Sequence, residues 1–158
     1  MESLFLSKPI LTRPEEEGYP TVIKKLIEMG VTNVYDIGCG DDDHIEDFKN
    51  YGFNYTGIDE FAPVDYPNFN FIHGTYPMEL HPEKDAVAIS VCCIGALTMM
   101  KELDAMVDGI KKEFSHFICH TFTESHYLIA PKWKNKEVIY HWSSSDGFVS
   151  VTTVHYWN

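Results

Sequence analysis

Basic residues are scarce in this sequence of 158 residues, in which 12 lysines and arginines face 24 aspartates and glutamates. The formal net charge is −12, and Arg13 is the only arginine. Phosphate backbones are bound mainly through lysine and arginine, so this composition argues against a general nucleic-acid binder. Lys132, Lys134 and Lys136 form one basic cluster around Trp133, which we interpret as a solvated loop before a strand.

The sequence also lacks a long apolar run, a cysteine framework and a metal motif. Its longest apolar stretch, around residues 86–97, is shorter than the roughly 18 residues of a membrane span. The amino-terminal residues do not have the pattern of a secretory signal, so we expect a cytoplasmic protein. The eight histidines show no metal-ligand spacing, and no CxxC pair occurs, so we expect no metal site and no disulfide. The four cysteines are Cys39, Cys92, Cys93 and Cys119.

Strand-like and helix-like segments alternate along the chain, with no linker or internal repeat, so we expect one domain over residues 1–158. Repeated βαβ units predict a doubly wound, mostly parallel sheet, and the last two strands predict a C-terminal antiparallel β-hairpin. Helices are predicted to begin near Pro20, Ile45 and Leu97. The predicted strands are Asn33–Ile37, Asn54–Ile58, Asn70–His73, Ala86–Val91, Phe114–Phe122, Val138–Trp142 and Phe148–Trp157.

The most informative motif is a glycine turn that follows the first predicted strand. Asp36 precedes Gly38 and Gly40, and the next predicted strand ends at Asp59. Two glycines let the backbone pass close to a ligand, and an acid that ends the neighbouring strand can accept hydrogen bonds from a ribose diol. Asp59 follows Asp36 at roughly the 20-residue spacing that such a pair of βα units requires. The motif therefore predicts a nucleoside-containing cofactor.

A dinucleotide fits this turn poorly. Its motif, G-x-G-x-x-G, requires a third glycine where this sequence has Asp43. Asp41, Asp42 and Asp43 are three consecutive carboxylates, which would repel a pyrophosphate. Asp36 is better suited to a ligand that carries an ammonium group. These residues disfavour a nicotinamide-dependent oxidoreductase.

The strand–glycine turn–helix–strand–acid order resembles that of the class I S-adenosylmethionine-dependent methyltransferases. Their first motif, D/E-x-G-x-G-x-G, is matched by Asp36-Ile37-Gly38-Cys39-Gly40. Their second motif is matched by Asp59, and their terminal hairpin by the last 21 residues or so. The resemblance implies a Rossmann-like sheet, S-adenosylmethionine as the cofactor and methyl transfer as the reaction.

The resemblance also implies roles for particular residues. Asp36, Gly38 and Gly40 would line the methionine end of the cofactor, and Asp59 would hold the ribose. The adenine end would lie near Gly74 and Thr75, and the methyl group near Ser90 and Cys92.

Two positions depart from the pattern of the family. Asp42 replaces the third glycine, and Thr75 replaces a common acid near the adenine. Asp42 is explained either as a residue of the first helical turn or as a change that weakens cofactor binding.

The residues after the fourth predicted strand constrain the acceptor. The Asn/Asp-Pro-Pro-aromatic and Pro-Cys motifs of DNA base methyltransferases are both missing, so we expect a small molecule or a peptide side chain as acceptor. A protein partner or a homodimer is compatible with so small a chain. His120, which ends the fifth predicted strand, is our candidate general base, and Tyr76, Glu124 and His126 are weaker alternatives.

A second functional class stays open at this point. An inactive methyltransferase-like subunit, or a regulatory protein that binds the cofactor, would also have this sequence pattern. Binding of the cofactor distinguishes an enzyme from a subunit that has lost its site.

Overall fold

A computed structural model of the chain describes residues 18–40, 45–62, 70–91, 102–122, 130–143 and 149–157. These residues form three α-helices, a short 3₁₀ helix at Ala130–Lys132 and seven strands. The helices are α1 (Tyr19–Glu28), α2 (Ile45–Asn50) and α3 (Leu103–Glu113). The strands are β1 (Asn33–Ile37), β2 (Asn54–Ile58), β3 (Asn70–Ile72), β4 (Val87–Val91), β5 (His116–Phe122), β6 (Asn135–Ser143) and β7 (Val149–Tyr156).

All seven strands belong to one sheet with the order β3-β2-β1-β4-β5-β7-β6. Strands β1 to β5 are parallel, and β7 lies antiparallel between β5 and β6. The predicted doubly wound sheet with a C-terminal antiparallel hairpin is therefore confirmed. The strand order reverses between β1 and β4, which places the topological switch point beside the glycine turn.

The helices cover both faces of the sheet because each has one apolar side. Helix α1 begins with Pro20 in its first turn and buries Val22, Ile23 and Leu26 against the face that α2 also covers. Helix α3 packs Met106, Val107 and Ile110 against the other face. Burial on both faces explains why β4 reads as a continuous apolar run.

Several element boundaries differ from the predicted ones. Strand β6 begins three residues earlier than predicted because Asn135 pairs with Tyr156 of β7. Strand β5 begins at His116 because Phe114 ends α3 in an extended conformation. The predicted start of the third helix, at Leu97, lies outside the described residues.

Trp133 is packed among other aromatic rings. Its ring lies 5.3 Å from that of His155 and 5.1 Å from that of Trp157, measured between centroids. The indole is buried beside Phe117, at the amino end of β5 and so at the edge opposite to the glycine turn. The side chain of Trp142 lies outside the described part of the chain.

None of the helices in the described ranges combines the length and the apolar character that a membrane crossing requires. The longest of them, α3, has 11 residues.

Candidate cofactor site

The glycine turn bends sharply over the end of β2. The backbone N–H groups of Gly38 and Cys39 both donate to the carbonyl oxygen of Ile58, at 2.7 and 3.2 Å. Gly38 and Gly40 have φ angles of 76° and 60°, a region that side chains with a Cβ rarely adopt. The backbone conformation of the turn therefore requires glycine at both positions of the predicted motif.

Asp59 is joined directly to this turn. Its Oδ2 accepts a hydrogen bond from the backbone N–H of Gly40 at 2.9 Å, and its Oδ1 accepts one from Phe61 N–H at 2.8 Å. The side chain is only partly buried, and each carboxylate oxygen has a further lone pair. Asp59 can therefore accept hydrogen bonds from a ligand while it holds the turn in place.

Cys39 fills a space that Gly57 leaves beneath the turn. A Cβ added at Gly57 would lie 2.8 Å from the Cys39 sulfur and 2.9 Å from the ring of Phe71. Burial, reinforced by the nearby Asp36 and Asp59 carboxylates, raises the pKa of the Cys39 thiol far above its usual value. The thiol stays protonated, so Cys39 has a packing role.

Asp36 is fully buried at the end of β1 and accepts two hydrogen bonds. The hydroxyl groups of Tyr19, from α1, and Tyr55, from β2, both donate to its Oδ2, at 2.8 and 2.7 Å. Burial and the adjacent Asp36 charge raise the pKa of the Tyr55 hydroxyl, which therefore remains a donor. Sequence reasoning identified Asp36 but missed both tyrosines, because nothing in their spacing shows that they meet one carboxylate.

The amino end of α1 lies over the ends of β4 and β5. A Cβ added at Gly18 would lie 3.4 Å from Val91 and 4.0 Å from the ring of His120, and the φ angle of Gly18 is 77°. A glycine allows this close approach. The position of α1 decides how much of the β4 and β5 ends a ligand can reach.

His120 lies at the carboxyl end of β5, where it was predicted, but it is packed under α1. Its exposure is 2%, and its Nδ1 is 2.7 Å from the hydroxyl oxygen of Thr152. The ring of Tyr140 lies 6.0 Å away, measured between centroids. The structure therefore does not present the imidazole at an open surface, and its role as a base stays a prediction.

Ser90, on β4, is buried beside Cys119 of β5, and its hydroxyl group has no hydrogen-bond partner within the described residues. Several sequence-predicted residues near this edge lie outside the described part of the chain. They are Cys92, Glu124, His126 and the three carboxylates Asp41, Asp42 and Asp43.

Gly74 and Thr75 follow β3 at the same edge of the sheet as Asp59, whose backbone N–H donates to Ile72 at 3.2 Å. Thr75 is exposed, whereas Tyr76 is buried against α3, where a Cβ on Gly109 would lie 2.8 Å from the Tyr76 hydroxyl oxygen. Burial raises the pKa of the Tyr76 hydroxyl, which therefore stays protonated and cannot accept a proton from a substrate.

Phe61 was missed by the sequence analysis. Its side chain is 77% exposed, two residues beyond Asp59, and its own N–H binds the Asp59 carboxylate. An aromatic residue so close to a strand-terminal acid is a signal that could have identified it. The described residues contain no group of three or more histidine, cysteine, aspartate or glutamate side chains placed to hold a metal ion.

Comparisons with known proteins identify the fold but no close relative. No protein-family model matches the chain, and a sequence comparison with curated proteins finds no significant match. Solved structures do match, at low sequence identity. The E. cuniculi Mtq2–Trm112 complex, responsible for the methylation of the eRF1 translation termination factor, has a TM-score of 0.59 and 10% identity. That match covers 94% of this chain and 98% of the other.

Two further structures are similar over most of the sheet. Magnesium protoporphyrin IX methyltransferase from Synechocystis PCC 6803, with bound SAM, has a TM-score of 0.62 and 13% identity, over 87% of this chain and 77% of that one. The 1,6-didemethyltoxoflavin-N1-methyltransferase of Burkholderia thailandensis, with bound S-adenosylhomocysteine, has a TM-score of 0.62 and 12% identity, over 88% and 77%. The chain therefore has the Rossmann-like fold of the class I S-adenosylmethionine-dependent methyltransferases.

Proposed function

We propose that this protein is an S-adenosylmethionine-dependent methyltransferase that acts on a small molecule or a peptide side chain. The observation that carries the proposal is the hydrogen bond between the Asp59 carboxylate and the backbone of Gly40. It joins the predicted ribose-binding acid and the predicted methionine-binding turn into one unit beside the switch point of the sheet. Similar folds that are crystallised with this cofactor or its product support the same conclusion.

The residues at this edge fit the cofactor. A Cβ added at Gly40 meets no described atom within 4 Å, so the turn leaves space for the methionine half above it. Asp59 retains acceptor capacity for the ribose hydroxyls, and exposed Phe61 offers a flat wall for the adenine near Gly74 and Thr75. Ser90 and Cys92 are proposed to lie near the methyl group. The bound cofactor supplies an electrophilic methyl group on its sulfonium.

The comparisons do not decide between two kinds of acceptor. One structural neighbour is named for methylation of a translation factor and occurs in a complex with Trm112, whereas others are named for small molecules. We therefore keep both a peptide side chain and a small molecule as acceptor classes, with a partner subunit as a further source of specificity.

We also propose His120 as the general base for acceptors that must lose a proton. The hydrogen bond to Thr152 orients its ring, and the carboxyl end of β5 is the correct edge of the sheet. The close approach of Gly18 to the ring limits the side from which an acceptor can reach it. The test is a methyl-transfer screen of hydroxyl and amine acceptors with wild type and His120→Gln. Equal rates for both proteins would remove His120 from the mechanism.

The experiment that tests the function is calorimetric titration of the purified protein with S-adenosylmethionine and S-adenosylhomocysteine. We expect micromolar binding that falls at least about tenfold in Asp59→Ala, because hydrogen bonds to a charged group contribute roughly 1.5–3 kcal/mol. Asp108→Asn, an exposed acid on α3, is the matched control and should bind as wild type does. A folded protein that binds neither ligand would overturn the enzyme and favour the inactive subunit.

A further inference from the structure

The two tyrosines at Asp36 donate hydrogen bonds to a buried carboxylate and carry no charge of their own. Asp36 is the only carboxylate among the buried residues that the structure describes, and its side chain has no solvent exposure. Burial of an anion is unfavourable unless hydrogen bonds offset the loss of water. Both phenols are neutral donors, so their bonds stabilise the carboxylate and leave its charge in place.

This charge lies directly beneath the glycine turn. Asp36 is two residues before Gly38, on the face of the sheet that α1 covers. Tyr55 approaches from β2 on one side, and Tyr19 approaches from α1 on the other. In the proposed function, the methionine half of the cofactor, which carries the sulfonium, lies above the same turn.

The two tyrosine rings are held independently of their hydroxyl groups. Phe48, fully buried on α2, contacts both rings, with centroid distances of 5.8 Å to Tyr19 and 4.6 Å to Tyr55. Replacement of either tyrosine by phenylalanine therefore removes a donor and keeps the ring packing. This makes the role of each hydroxyl separately testable.

S-adenosylmethionine and its product differ by one positive charge. Methyl transfer converts the sulfonium into a neutral thioether, and the ammonium and carboxylate groups are unchanged. A fixed anion in a site of low dielectric constant attracts the sulfonium more strongly than the thioether. A site with such an anion therefore prefers S-adenosylmethionine over S-adenosylhomocysteine more strongly than the same site without the anion does.

We propose that Tyr19 and Tyr55 are positioning residues that hold the Asp36 carboxylate as a fixed negative charge, and that this charge makes the site discriminate S-adenosylmethionine from S-adenosylhomocysteine. The inference rests on the proposed function, since it concerns the cofactor of the same site. It extends the site to α1, because Tyr19 is the first residue of that helix. Product release is favoured by the same arrangement, because the product has lost the charge that Asp36 attracts.

A purely structural role for the tyrosines makes a different prediction. If the hydroxyl groups only provided hydrogen bonds to a buried acid, their removal would lower the stability of the protein. It would also weaken the binding of both ligands by the same factor. The ratio of the two dissociation constants separates these cases, because misfolding and loosening of the site cancel in it.

The test is to measure the dissociation constants of S-adenosylmethionine and S-adenosylhomocysteine by calorimetry for wild type and four variants. They are Asp36→Asn, Tyr19→Phe, Tyr55→Phe and the double tyrosine variant. We expect the preference for S-adenosylmethionine to fall on the order of tenfold in Asp36→Asn and about threefold in each single tyrosine variant. The double variant should approach Asp36→Asn, because the three residues act as a unit. Tyr51→Phe, an exposed tyrosine on the chain just after α2, should leave the ratio unchanged.

Each failure has its own signature. An unchanged ratio in Asp36→Asn, or in both folded tyrosine variants, would overturn the inference and leave the proposed function intact. If Asp36→Asn does not fold, the two tyrosine variants decide, since they keep the packing. Absence of binding by folded wild type would overturn the proposed function and this inference with it.

Discussion

The two halves of the sheet differ in the hydrogen bonding of their buried polar groups. In the half formed by β1, β2 and β3, the strand-terminal carboxylates Asp36 and Asp59 accept hydrogen bonds from tyrosines and from the glycine turn. In the half formed by β4, β5, β6 and β7, four buried serine and threonine hydroxyl groups make no hydrogen bond within the described part of the chain. They belong to Ser90, Thr121, Ser150 and Thr153.

This difference concerns how each half holds its buried polar groups. In the β1–β3 half, hydrogen bonds join Asp36 and Asp59 to their neighbours, which fixes both carboxylates in place for the proposed cofactor. Each lone hydroxyl of the β4–β7 half costs roughly 1–3 kcal/mol when buried without a partner. Water or a polar ligand that supplied the missing partner would remove this cost.

The largest expected effect tests whether the turn is a binding element or only a loop. Gly40→Ala and Gly52→Ala both place a Cβ on a residue with positive φ, 60° and 82°, where no described atom lies within 4 Å. The unfolding free energy of each variant should be about 1–2 kcal/mol lower than that of wild type. Only Gly40→Ala should weaken S-adenosylhomocysteine binding, by at least about tenfold, in calorimetric titration. Equal affinities in the two variants would contradict a ligand close to Gly40.

A smaller effect is expected beneath the turn. Gly57→Ala brings a Cβ against the Cys39 sulfur and Phe71, and overpacking of this kind costs about 1–3 kcal/mol. Urea unfolding measures the loss. In the Cys39→Ala background the same substitution should cost less, because one of the two obstacles is gone. Identical costs in both backgrounds would show that the thiol does not fill this space.

The β4–β7 half should respond in the opposite direction. Thr121→Val and Thr153→Val remove hydroxyl groups that lack partners within the described residues, so each should raise the unfolding free energy by about 0.5–1 kcal/mol. Neither should change the affinity for S-adenosylhomocysteine, which is proposed to bind the other half. Loss of stability in both variants would mean that water already satisfies these groups.

The smallest effect concerns pH. Burial lowers the pKa of His141, which lies on β6 in the β4–β7 half. The unfolded chain, with the ordinary pKa near 6.5, therefore takes up this proton first, so the contribution to stability is full above pH 6.5 and falls at lower pH. Urea midpoints from pH 7.5 to pH 5 should show a shallower decrease for His141→Gln than for wild type. Parallel curves would show that His141 does not contribute to the pH dependence of the stability.

Much of the β1–β3 half could be predicted from the sequence because its signals are local. The turn needs glycine at Gly38 and Gly40 for the φ angles that it adopts, and Asp59 ends the next strand at the usual spacing. Tyr19 and Tyr55 could not be found in this way. They are 17 and 19 residues from Asp36 in the chain, and only the docking of α1 and the strand register bring them together.

His120 illustrates the same division in the other half. Its place at the carboxyl end of β5 was predicted from the alternation of strands and helices, and the structure agrees. Its surroundings come from distant parts of the chain, since Gly18 before α1, Thr152 of β7 and Tyr140 of β6 all lie close to the ring. No local sequence pattern predicts such contacts between distant residues.

The amino-acid sequence by itself therefore determined the alternation of elements, the glycine turn and the acid that ends β2, since periodicity and allowed φ angles act over a few residues. Only the tertiary structure decided which side chains share the Asp36 carboxylate, how Cys39 fits beneath the turn and how far His120 is covered. Those outcomes depend on strand order and on helix docking, which join residues that are distant in the chain.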